Sequence, residues 1–346
     1  MKPIFQGHLD KLVARLVSEK KIKGAVFHLS REDQSESLIS ASGNLGPHSL
    51  FYIASINKLI LSALTLRCIR DGKLKFSDKL TEFIDSEVLK GLHFFKGKDY
   101  SKEISVGLLL SNTSGLPCYL IDKAPGKEKT MNLLKKGKDE PWPLDRVLNH
   151  VKTMKPSYLP GKKGKANYSN TNFRLLAFIL EKLSGKPIFE ILQETFEEMQ
   201  MSQTFVIKEK DNPEFLPVFS NGKPVFLSQY WASSGMDIIS NAEDLMKVLK
   251  KIFEGYFYPL EKLEELEKWN SIFFPFQYGI GIQKFYTPRI FSPFKPVPDL
   301  IGHCGSTGTA AFYVPEKKIY ITGAINQTER PQLLFQTILK IIQKAG

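Results

Sequence analysis

The distribution of β-type alternation constrains the fold more than any other feature of the sequence, because it occurs at both ends of the chain. Near the start, "GAVFHLS" and "SLISASG" alternate like the two strands of a hairpin, and near the end "YGIGIQKF", "GTAAFYVPE" and "KKIYITGAIN" do the same. Amphipathic helical spacing precedes the first pair, from Leu9 to Val17, and closes the chain at "QLLFQTILKIIQKAG". The pattern predicts an α/β fold of the α+β type, with one antiparallel sheet assembled from the two termini and flanked by helices.

The middle of the chain, from about residue 77 to 220, has the spacing of helices separated by loops rich in Gly, Pro and Lys. Before it, the apolar positions that follow Ser55 predict a long helix ending at Asp71 and Gly72. Within it, "YSNTNFRLLAFILEKLSGKP" predicts an amphipathic helix closed by Gly185 and Pro187. We expect a single domain over residues 1–346, with an α/β part at about 1–76 and 221–346 and an all-helical region at about 77–220.

The composition is that of a globular chain, since 346 residues of which 42% are hydrophobic can bury a large core without disulfides. No apolar run approaches the roughly 20 residues of a transmembrane helix, and "MKPIFQGHLDKLVARLVSEKK" lacks the apolar segment of a signal peptide. We expect no integral membrane segment and a cytoplasmic location, with a periplasmic or secreted one as the alternative. The three cysteines are too few for a disulfide framework, so free thiols are expected.

The formal charge of +12 comes from 48 basic and 36 acidic residues, with lysines crowded at 123–138 and 161–165. Such runs could attract an anionic surface or nucleic acid. Solvated loop lysines are the favoured interpretation, because neither interleaved aromatic residues nor a helix-turn-helix pattern accompanies them. We expect no nucleic-acid partner, and the sequence leaves the oligomeric state open.

The stretch "FYIASINKLI" places Ser55 and Lys58 where an apolar, strand-like segment runs into a helix. Residues three apart lie on one helical face, so the hydroxyl and the amine are presented together. Free backbone N–H groups and the helix dipole lower the cost of an alkoxide in the first turn, and a partly desolvated lysine there loses its proton more readily. The pair therefore indicates a serine nucleophile with a lysine base. The alternative is that Ser55 is a plain helix N-cap.

The S-x-x-K spacing alone is weak, because it recurs outside this stretch, for example beginning at Ser18 and at Ser292. Ser18 lies late in a surface helix and Ser292 lies in a proline-rich loop. Only Ser55 follows an apolar segment and opens a helix, so position favours it.

Two further segments carry chemistry. "ANYSNTN" holds the single Y-x-N, from Tyr168 to Asn170, just before an amphipathic helix. A tyrosine beside a cationic lysine is expected to have a depressed pKa and to relay a proton; the alternative is a turn residue with an N-capping asparagine. "GHCGSTGTAAFYV" holds the single H-x-G, from His303 to Gly305, and the N–H near Ser306 would face an oxyanion. The alternative there is a Gly-rich hairpin loop.

In this order, the three segments resemble the motifs of the serine β-lactamase and penicillin-binding-protein superfamily, specifically its class C-like branch. The third departs from K-T-G and is similar to the H-x-G of D-alanyl-D-alanine carboxypeptidases, D-aminopeptidases and esterases of that branch. "LLLSNTSGLP", which contains Asn112, and "SSGMDIISNAEDLMKVLK" also resemble family segments. The likeness spans nearly the whole chain and implies an antiparallel sheet with flanking helices plus an all-helical region.

The resemblance implies catalytic roles for three residues. Ser55 would attack a carbonyl and become acylated, while Lys58 accepts or relays its proton. Tyr168 would pass a proton to the leaving group and share the activation of the deacylating water. No metal and no cofactor are implied, and the expected partner is a small-molecule or peptide acyl substrate.

It also implies a set of binding residues. Asn170 would hydrogen-bond the catalytic lysine or a substrate amide, and the N–H groups of the nucleophile and of Ser306 would form the oxyanion hole. Asn112 and Gly305 are expected at the substrate. His303 would line the pocket with an unperturbed pKa of about 6.5, protonating between about pH 7.5 and 6, which makes binding of anionic β-lactams weak. Esters and amides are therefore ranked above ordinary β-lactams.

Other chemistries fare worse. A thiol nucleophile formed by Cys304 and His303 is disfavoured, because adjacent strand residues point to opposite faces. There is no G-x-S-x-G, H-E-x-x-H or P-loop. Two hypotheses remain: an active serine hydrolase acting on ester, amide or β-lactam bonds, with an esterase or D-amino peptidase-like activity, and a non-catalytic relative that keeps the fold as a scaffold or binding module.

Overall fold

A computed structural model of the protein describes residues 6–20, 22–208, 215–291 and 297–345. Within these ranges the helices are α1 Gln6–Lys20, α2 Asn57–Arg70, α3 Ser86–Leu89, α4 Val106–Leu110, α5 Thr130–Lys135, α6 Leu144–Lys152, α7 Asn170–Ser184, α8 Ile188–Glu198, α9 Ser228–Ser234, α10 Ala242–Phe253 and α11 Gln332–Lys344. The strands are β1 Gly24–Arg31, β2 Ser37–Gly43, β3 Phe51–Tyr52, β4 Phe94–Phe95, β5 Lys98–Asp99, β6 Phe205–Val206, β7 Val218–Ser220, β8 Lys223–Val225, β9 Ile238–Ser240, β10 Asn270–Phe273, β11 Phe276–Tyr278, β12 Gln283–Phe285, β13 Leu300–Gly305, β14 Thr309–Val314 and β15 Ile319–Ala324.

The main sheet has eight antiparallel strands in the order β10-β11-β12-β13-β14-β15-β1-β2. The N-terminal hairpin joins the last strand, since Val26 of β1 lies opposite Ala41 of β2 on one side and Ala324 of β15 on the other. The predicted fold class is therefore confirmed, as is the assembly of one antiparallel sheet from the two ends of the chain.

Helices cover both faces of this sheet. Phe27 and Leu29 of β1 pack on one side against the amphipathic helices α1 and α11, through residues such as Leu9 and Ile338. Val26, which alternates with them, belongs to the core on the opposite side, where α10 packs against β1, β14 and β15. Each fully buried side chain of this kind contributes about 1.5–3 kcal/mol, so the two faces fix the register of the strands.

Helix α2 runs through the core and is buried on all sides from Asn57 to Leu66. It ends at Arg70, and Gly72 follows in the left-handed conformation with φ of 70°, as predicted for this stop. The predicted start at Ser55 is corrected: a 3-10 turn, Ala54–Ile56, precedes the helix, which begins at Asn57. Ser55 thus lies in the 3-10 turn that leads directly into α2.

The section between residues 77 and 220 contains helices α3 to α8, but it also contains short strands. The ribbon β4–β5 lies within it, β6 pairs with β9 and β7 pairs with β8. The expectation of an all-helical region is corrected in this respect, because strands of two or three residues are too short to show a period of two. The division at 76 and 221 stays a prediction. In the described ranges, no helix combines the length and the apolar character needed to cross a membrane.

Strand β13 approaches the turn that carries Ser55 so closely that only glycine fits at its end. A Cβ placed on Gly305 would lie 2.1 Å from the Thr309 hydroxyl and 2.6 Å from the carbonyl oxygen of Ile53. Both distances are below any ordinary van der Waals contact, and one of the two atoms is backbone. Gly305 therefore permits the close packing of sheet and turn.

We predict that Gly305→Ala destabilises the protein by about 1–3 kcal/mol, because the added methyl group must displace the Ser55 turn. The midpoint of urea unfolding measures the change. Gly7→Ala in α1 is the matched control, since nothing lies within 4 Å of its added Cβ. Equal midpoints for the two variants would contradict the close packing.

Candidate active site

The turn that carries Ser55 is held by the hairpin between β13 and β14. The Thr307 hydroxyl donates to the carbonyl oxygen of Tyr52 at 3.0 Å, and the Thr309 hydroxyl donates to that of Ile53 at 2.9 Å. Ala54, the next residue, has a φ of 49°, which is a strained, left-handed conformation for a residue with a Cβ. The hydrogen bonds from the sheet hold this backbone in place, and they fix the direction of the Ser55 side chain.

Ser55 and Lys58 are in contact, as their spacing predicts. The Lys58 Nζ donates to the Ser55 Oγ at 3.1 Å, and only 2% of Lys58 is exposed. Its amine lies over the rings of Tyr168 and Phe173, at 5.5 and 5.6 Å from their centroids. Burial lowers the pKa of Lys58 from 10.5 to about 8, so a substantial fraction of this amine is neutral near physiological pH. A neutral amine beside a hydroxyl is a base in position to accept its proton.

Tyr168 lies beside Lys58, whose amine is 5.5 Å from the centroid of the Tyr168 ring, and the Ser55 side chain acts to lower the pKa of the Tyr168 hydroxyl. Burial raises the pKa of Tyr168 well above 10, and the nearby Tyr278 adds to the rise. The expected depression of this pKa by the lysine is therefore wrong, because the cost of burying a phenolate outweighs the nearby cation. Tyr168 is a neutral phenol in the free protein, able to donate a proton and to relay one.

The loop of Tyr168 rests on the segment that contains Asn112. The Asn112 side-chain oxygen accepts from the Ser169 N–H at 3.1 Å and from the Asn172 amide at 2.8 Å. Asn112 is fully buried, with a φ of 54°, and it lies behind the loop and outside the cavity lining. The structure thus places Asn112 where it positions Tyr168, in contrast with the expected contact to substrate.

Asn170 is the first residue of α7 and lines the cavity next to Ser55. Its backbone N–H and its side-chain amide both donate to the Cys118 sulfur at 3.3 Å. Within the described part of the chain no hydrogen bond joins Asn170 to Lys58, so of the two expected contacts only the one with a substrate amide stays open. Burial raises the pKa of the Cys118 thiol, which keeps it a neutral acceptor.

His303 does not line the cavity, in contrast with the expectation; it is fully buried and packs against the rings of Tyr168 and Tyr278, whose centroids are 5.9 and 5.8 Å away. Its Nδ1 is 2.8 Å from the carbonyl oxygen of Cys304. Burial, reinforced by the positive charge of Lys58, lowers the pKa of His303 to about 3. The expectation that His303 protonates between about pH 7.5 and 6 is therefore wrong, because a sequence does not reveal complete burial. The imidazole is neutral throughout this range.

Cys304 does not form a thiol–imidazole pair. Its sulfur lies 3.2 Å from the side-chain oxygen of Gln283, and the His303 ring contacts the Cys304 carbonyl instead of the thiol. Burial raises the pKa of Cys304 to about 12, so it stays a thiol. The geometry agrees with the prediction that Cys304 and His303 do not form a thiol nucleophile. All three cysteines are free.

The cavity opens in front of the serine and is lined on one side by Ser55, Lys58, Asn170 and Ser306. Ser306 is exposed, and among the described residues its N–H has no acceptor, so it is free to bind a substrate oxygen. Gly305 does not line the cavity; it supports the turn instead. Across residues 6–20, 22–208, 215–291 and 297–345, no group of three or more His, Cys, Asp or Glu side chains is arranged to hold a metal ion.

Several residues of the site were not identified from the sequence. Thr307 and Thr309 hold the serine turn, Tyr278 packs against Tyr168, and Asp237 lines the cavity. The threonines alternate in "STGTAA" directly after the H-x-G motif, which is a usable signal for side chains on one face of the hairpin. Asp237 and Tyr278 carry no local signal, because their positions depend on the tertiary fold.

An antiparallel sheet with a serine, a lysine and a tyrosine meeting at the start of a buried helix defines an acyl-transfer type of site. The family described as Beta-lactamase matches residues 9–343 of the chain. The protein therefore belongs to the beta-lactamase family, and the resemblance drawn from the three motifs is confirmed.

Comparison with individual proteins agrees with this family. The structure is similar to a D-amino acid amidase from Ochrobactrum anthropi SV3, with a TM-score of 0.77 and 18% identity over 96% of this chain and 98% of that one. It is also similar to a D-stereospecific amidohydrolase from Streptomyces sp., with a TM-score of 0.76 and 21% identity over the same shares of the two chains. At these identities the likeness establishes the fold.

Similarity in sequence to curated proteins is confined to part of the chain in the following case. An N-acetylmuramyl-L-alanine amidase from Bacillus subtilis (strain 168) is 27% identical over 168 residues, which are 48% of this chain. The match covers 35% of the relative's own length. The family match over residues 9–343 supports a β-lactamase-related serine hydrolase.

We predict that acylation of Ser55 accelerates as the pH rises through about 8, because Lys58 accepts the serine proton only in its neutral form and its pKa is about 8. The measurement is the second-order rate constant for labelling by a neutral fluorophosphonate from about pH 6 to about pH 10. Lys58→Arg is the matched control: it keeps a cation that does not deprotonate, and it should lose both the rate and the pH dependence. A wild-type profile that is flat across pH 8 would contradict the base role.

Proposed function

We propose that the protein is a serine hydrolase that acts through an acyl-enzyme on ester and amide bonds of small molecules or peptides, with at most weak action on β-lactams. The observation that carries the proposal is the contact of Ser55 Oγ with the buried Lys58 Nζ at 3.1 Å, together with a lysine pKa of about 8. A buried amine that is partly neutral beside a serine has little structural purpose, since burying it is costly.

In the proposed acylation, neutral Lys58 takes the proton of Ser55 as its Oγ bonds to the substrate carbonyl carbon. The carbonyl oxygen becomes an oxyanion, held by the backbone N–H groups of Ser55 and Ser306. Donors of this kind are typically worth about 2.7–4 kcal/mol each. Tyr168 donates its proton to the leaving nitrogen or oxygen as the bond to the carbonyl carbon breaks, and the neighbouring Lys58 then returns the former serine proton to Tyr168.

Deacylation reverses these roles with water in place of the leaving group. Lys58 and Tyr168 share the removal of a proton from a water that attacks the acyl carbon. The second oxyanion uses the same two N–H groups, and when it collapses the bond to Ser55 Oγ breaks. Ser55 regains a proton and the carboxylic acid product leaves, so no other reactant is consumed.

The polarity of the cavity supports esters and amides over ordinary β-lactams, which carry a carboxylate. Where the related third motif has a lysine, this chain has His303, which is neutral and buried. The carboxylate of Asp237 also lines the cavity. An anionic substrate would therefore be repelled by the Asp237 carboxylate, and it would lack the lysine cation that the related third motif provides.

A non-catalytic role of the same fold is the competing hypothesis. It gives no reason for the buried amine of Lys58 to contact Ser55 at a cavity and to lie over the ring of Tyr168. We therefore favour catalysis, and the two hypotheses differ in whether Ser55 becomes acylated.

We predict that Ser55→Ala abolishes covalent labelling by a fluorophosphonate or an activated ester, because among the described hydroxyls that line the cavity Ser55 is the one in contact with the buried amine of Lys58. Intact-mass spectrometry before and after incubation measures the adduct. Ser18→Ala is the matched control, since Ser18 begins another S-x-x-K and its hydroxyl is engaged with the Ala14 carbonyl on the surface of α1. An adduct that persists in Ser55→Ala, or its absence from the wild type, would reject the proposal.

We further predict that Lys58→Ala and Tyr168→Phe each reduce turnover by at least about a hundredfold, as expected for a positioned acid or base. The double variant should be scarcely slower than the slower single variant, because the two residues share one proton path. Steady-state kcat/KM for an activated ester measures all three. Fully additive losses would show that the residues act independently.

A further inference from the structure

Asp237 lies between α9 and β9, and its carboxylate lines the same cavity as Ser55 and Lys58. One carboxylate oxygen accepts from the Tyr52 hydroxyl, and the other accepts from the Ser234 hydroxyl at 2.6 Å. Only 7% of Asp237 is exposed. The side chain is thus fixed in one orientation at the wall of the cavity, and its remaining lone pairs are available to a ligand.

The carboxylate of Asp237 has no cationic partner. Among the described residues, no lysine, arginine or histidine nitrogen lies within 4.0 Å of it, and its hydrogen bonds come from neutral hydroxyls. Lys58 and Arg174 act on it only at longer range, and Lys135 at the cavity rim is exposed to solvent. Buried carboxylates are normally paired, so this one is the exception that needs a reason.

Four aromatic side chains line the cavity together with Asp237. The ring centroids of Tyr52 and Trp231 are 4.7 Å apart, and the hydroxyls of Tyr119 and Tyr230 are 3.0 Å apart. All four side chains line the cavity. Aromatic faces attract ammonium groups, and the combination of such faces with a carboxylate is the usual chemistry of ammonium recognition.

We propose that Asp237 and the surrounding aromatic rings bind an ammonium group of the substrate, which makes Asp237 a specificity-determining residue. The proposal rests on the proposed function, since it names the class of acyl compound that the site accepts: small amides or esters that carry a positively charged amine. The ammonium group of the substrate would form the ion pair that the Asp237 carboxylate lacks among the described residues.

The electrostatics of the free protein agree with such a ligand. Burial raises the pKa of Asp237, and its two hydroxyl donors oppose that rise. A cation placed beside the carboxylate would favour the ionised form further. A substrate carboxylate in the same position would have the opposite effect and would be repelled.

The test is the binding of two matched amides to the Ser55→Ala variant by isothermal titration calorimetry at about pH 7, where an α-amine is mostly protonated. The ligands are phenylalaninamide, as each enantiomer, and 2-methyl-3-phenylpropanamide, in which a methyl group replaces the ammonium group. We expect at least one enantiomer of phenylalaninamide to bind about tenfold or more tightly than its neutral counterpart. Asp237→Asn should remove this preference.

Asp145→Asn is the matched control, because Asp145 is an exposed carboxylate on α6 outside this cavity, and the preference should survive there. If the Ser55→Ala variant, which keeps Asp237, bound the charged and the neutral amide equally well, this result alone would overturn the inference. Equal weakening of both ligands by Asp237→Asn would overturn it too, since the residue would then only support Tyr52.

The inference and the proposed function fail in different ways. Fluorophosphonate labelling of wild-type Ser55 without any preference for the ammonium ligand would leave a serine hydrolase whose substrates are neutral. A clear preference that depends on Asp237, without labelling of Ser55, would leave an ammonium-binding protein that does not hydrolyse its ligand.

Discussion

The burial of the Lys58 amine, which has no ion-pairing carboxylate among the described residues, is the constraint on which the site depends. The amine contacts Ser55 and lies over two aromatic rings, and burial lowers its pKa to about 8. Its charge in turn helps to keep His303 neutral, while burial keeps Tyr168 protonated. Of these three groups, Lys58 alone has a pKa near neutrality. It is therefore the one that can change its protonation state beside the serine at neutral pH.

The fold delivers this arrangement by joining three distant segments. The hairpin of β13 and β14 bonds to the backbone before Ser55, and α7 carries the Tyr168 loop against α2. Gly305 allows the hairpin to approach the backbone before Ser55, and the buried Asn112 supports the loop that carries Tyr168. The strained Ala54 lies where the contacts meet, which is consistent with a backbone conformation fixed by its surroundings.

The sequence predicts those parts of the fold and site that local patterns carry. The strands at both chain ends, the stop at Gly72 and the proximity of Ser55 to Lys58 all follow from spacing within a few residues. The pKa values of Tyr168 and His303 could not be predicted, because they depend on burial between elements far apart in sequence. Strands of two or three residues escaped detection for a related reason: they form only where a partner strand is supplied.

The net charge of the whole chain indicates an anionic substrate, whereas the charge at the cavity wall indicates a cationic one. A formal charge of +12 would favour anions, but the lysine runs lie mostly in solvent, where ions screen them beyond about 8 Å at physiological ionic strength. Asp237 is buried at the cavity wall, and its interactions are screened much less. A charge in contact with the ligand in a low-dielectric cavity decides which ligand binds, whereas a distant and solvated surface charge chiefly affects the rate of encounter. Within the proposed function, selection of substrate therefore depends on Asp237 more than on the basic surface.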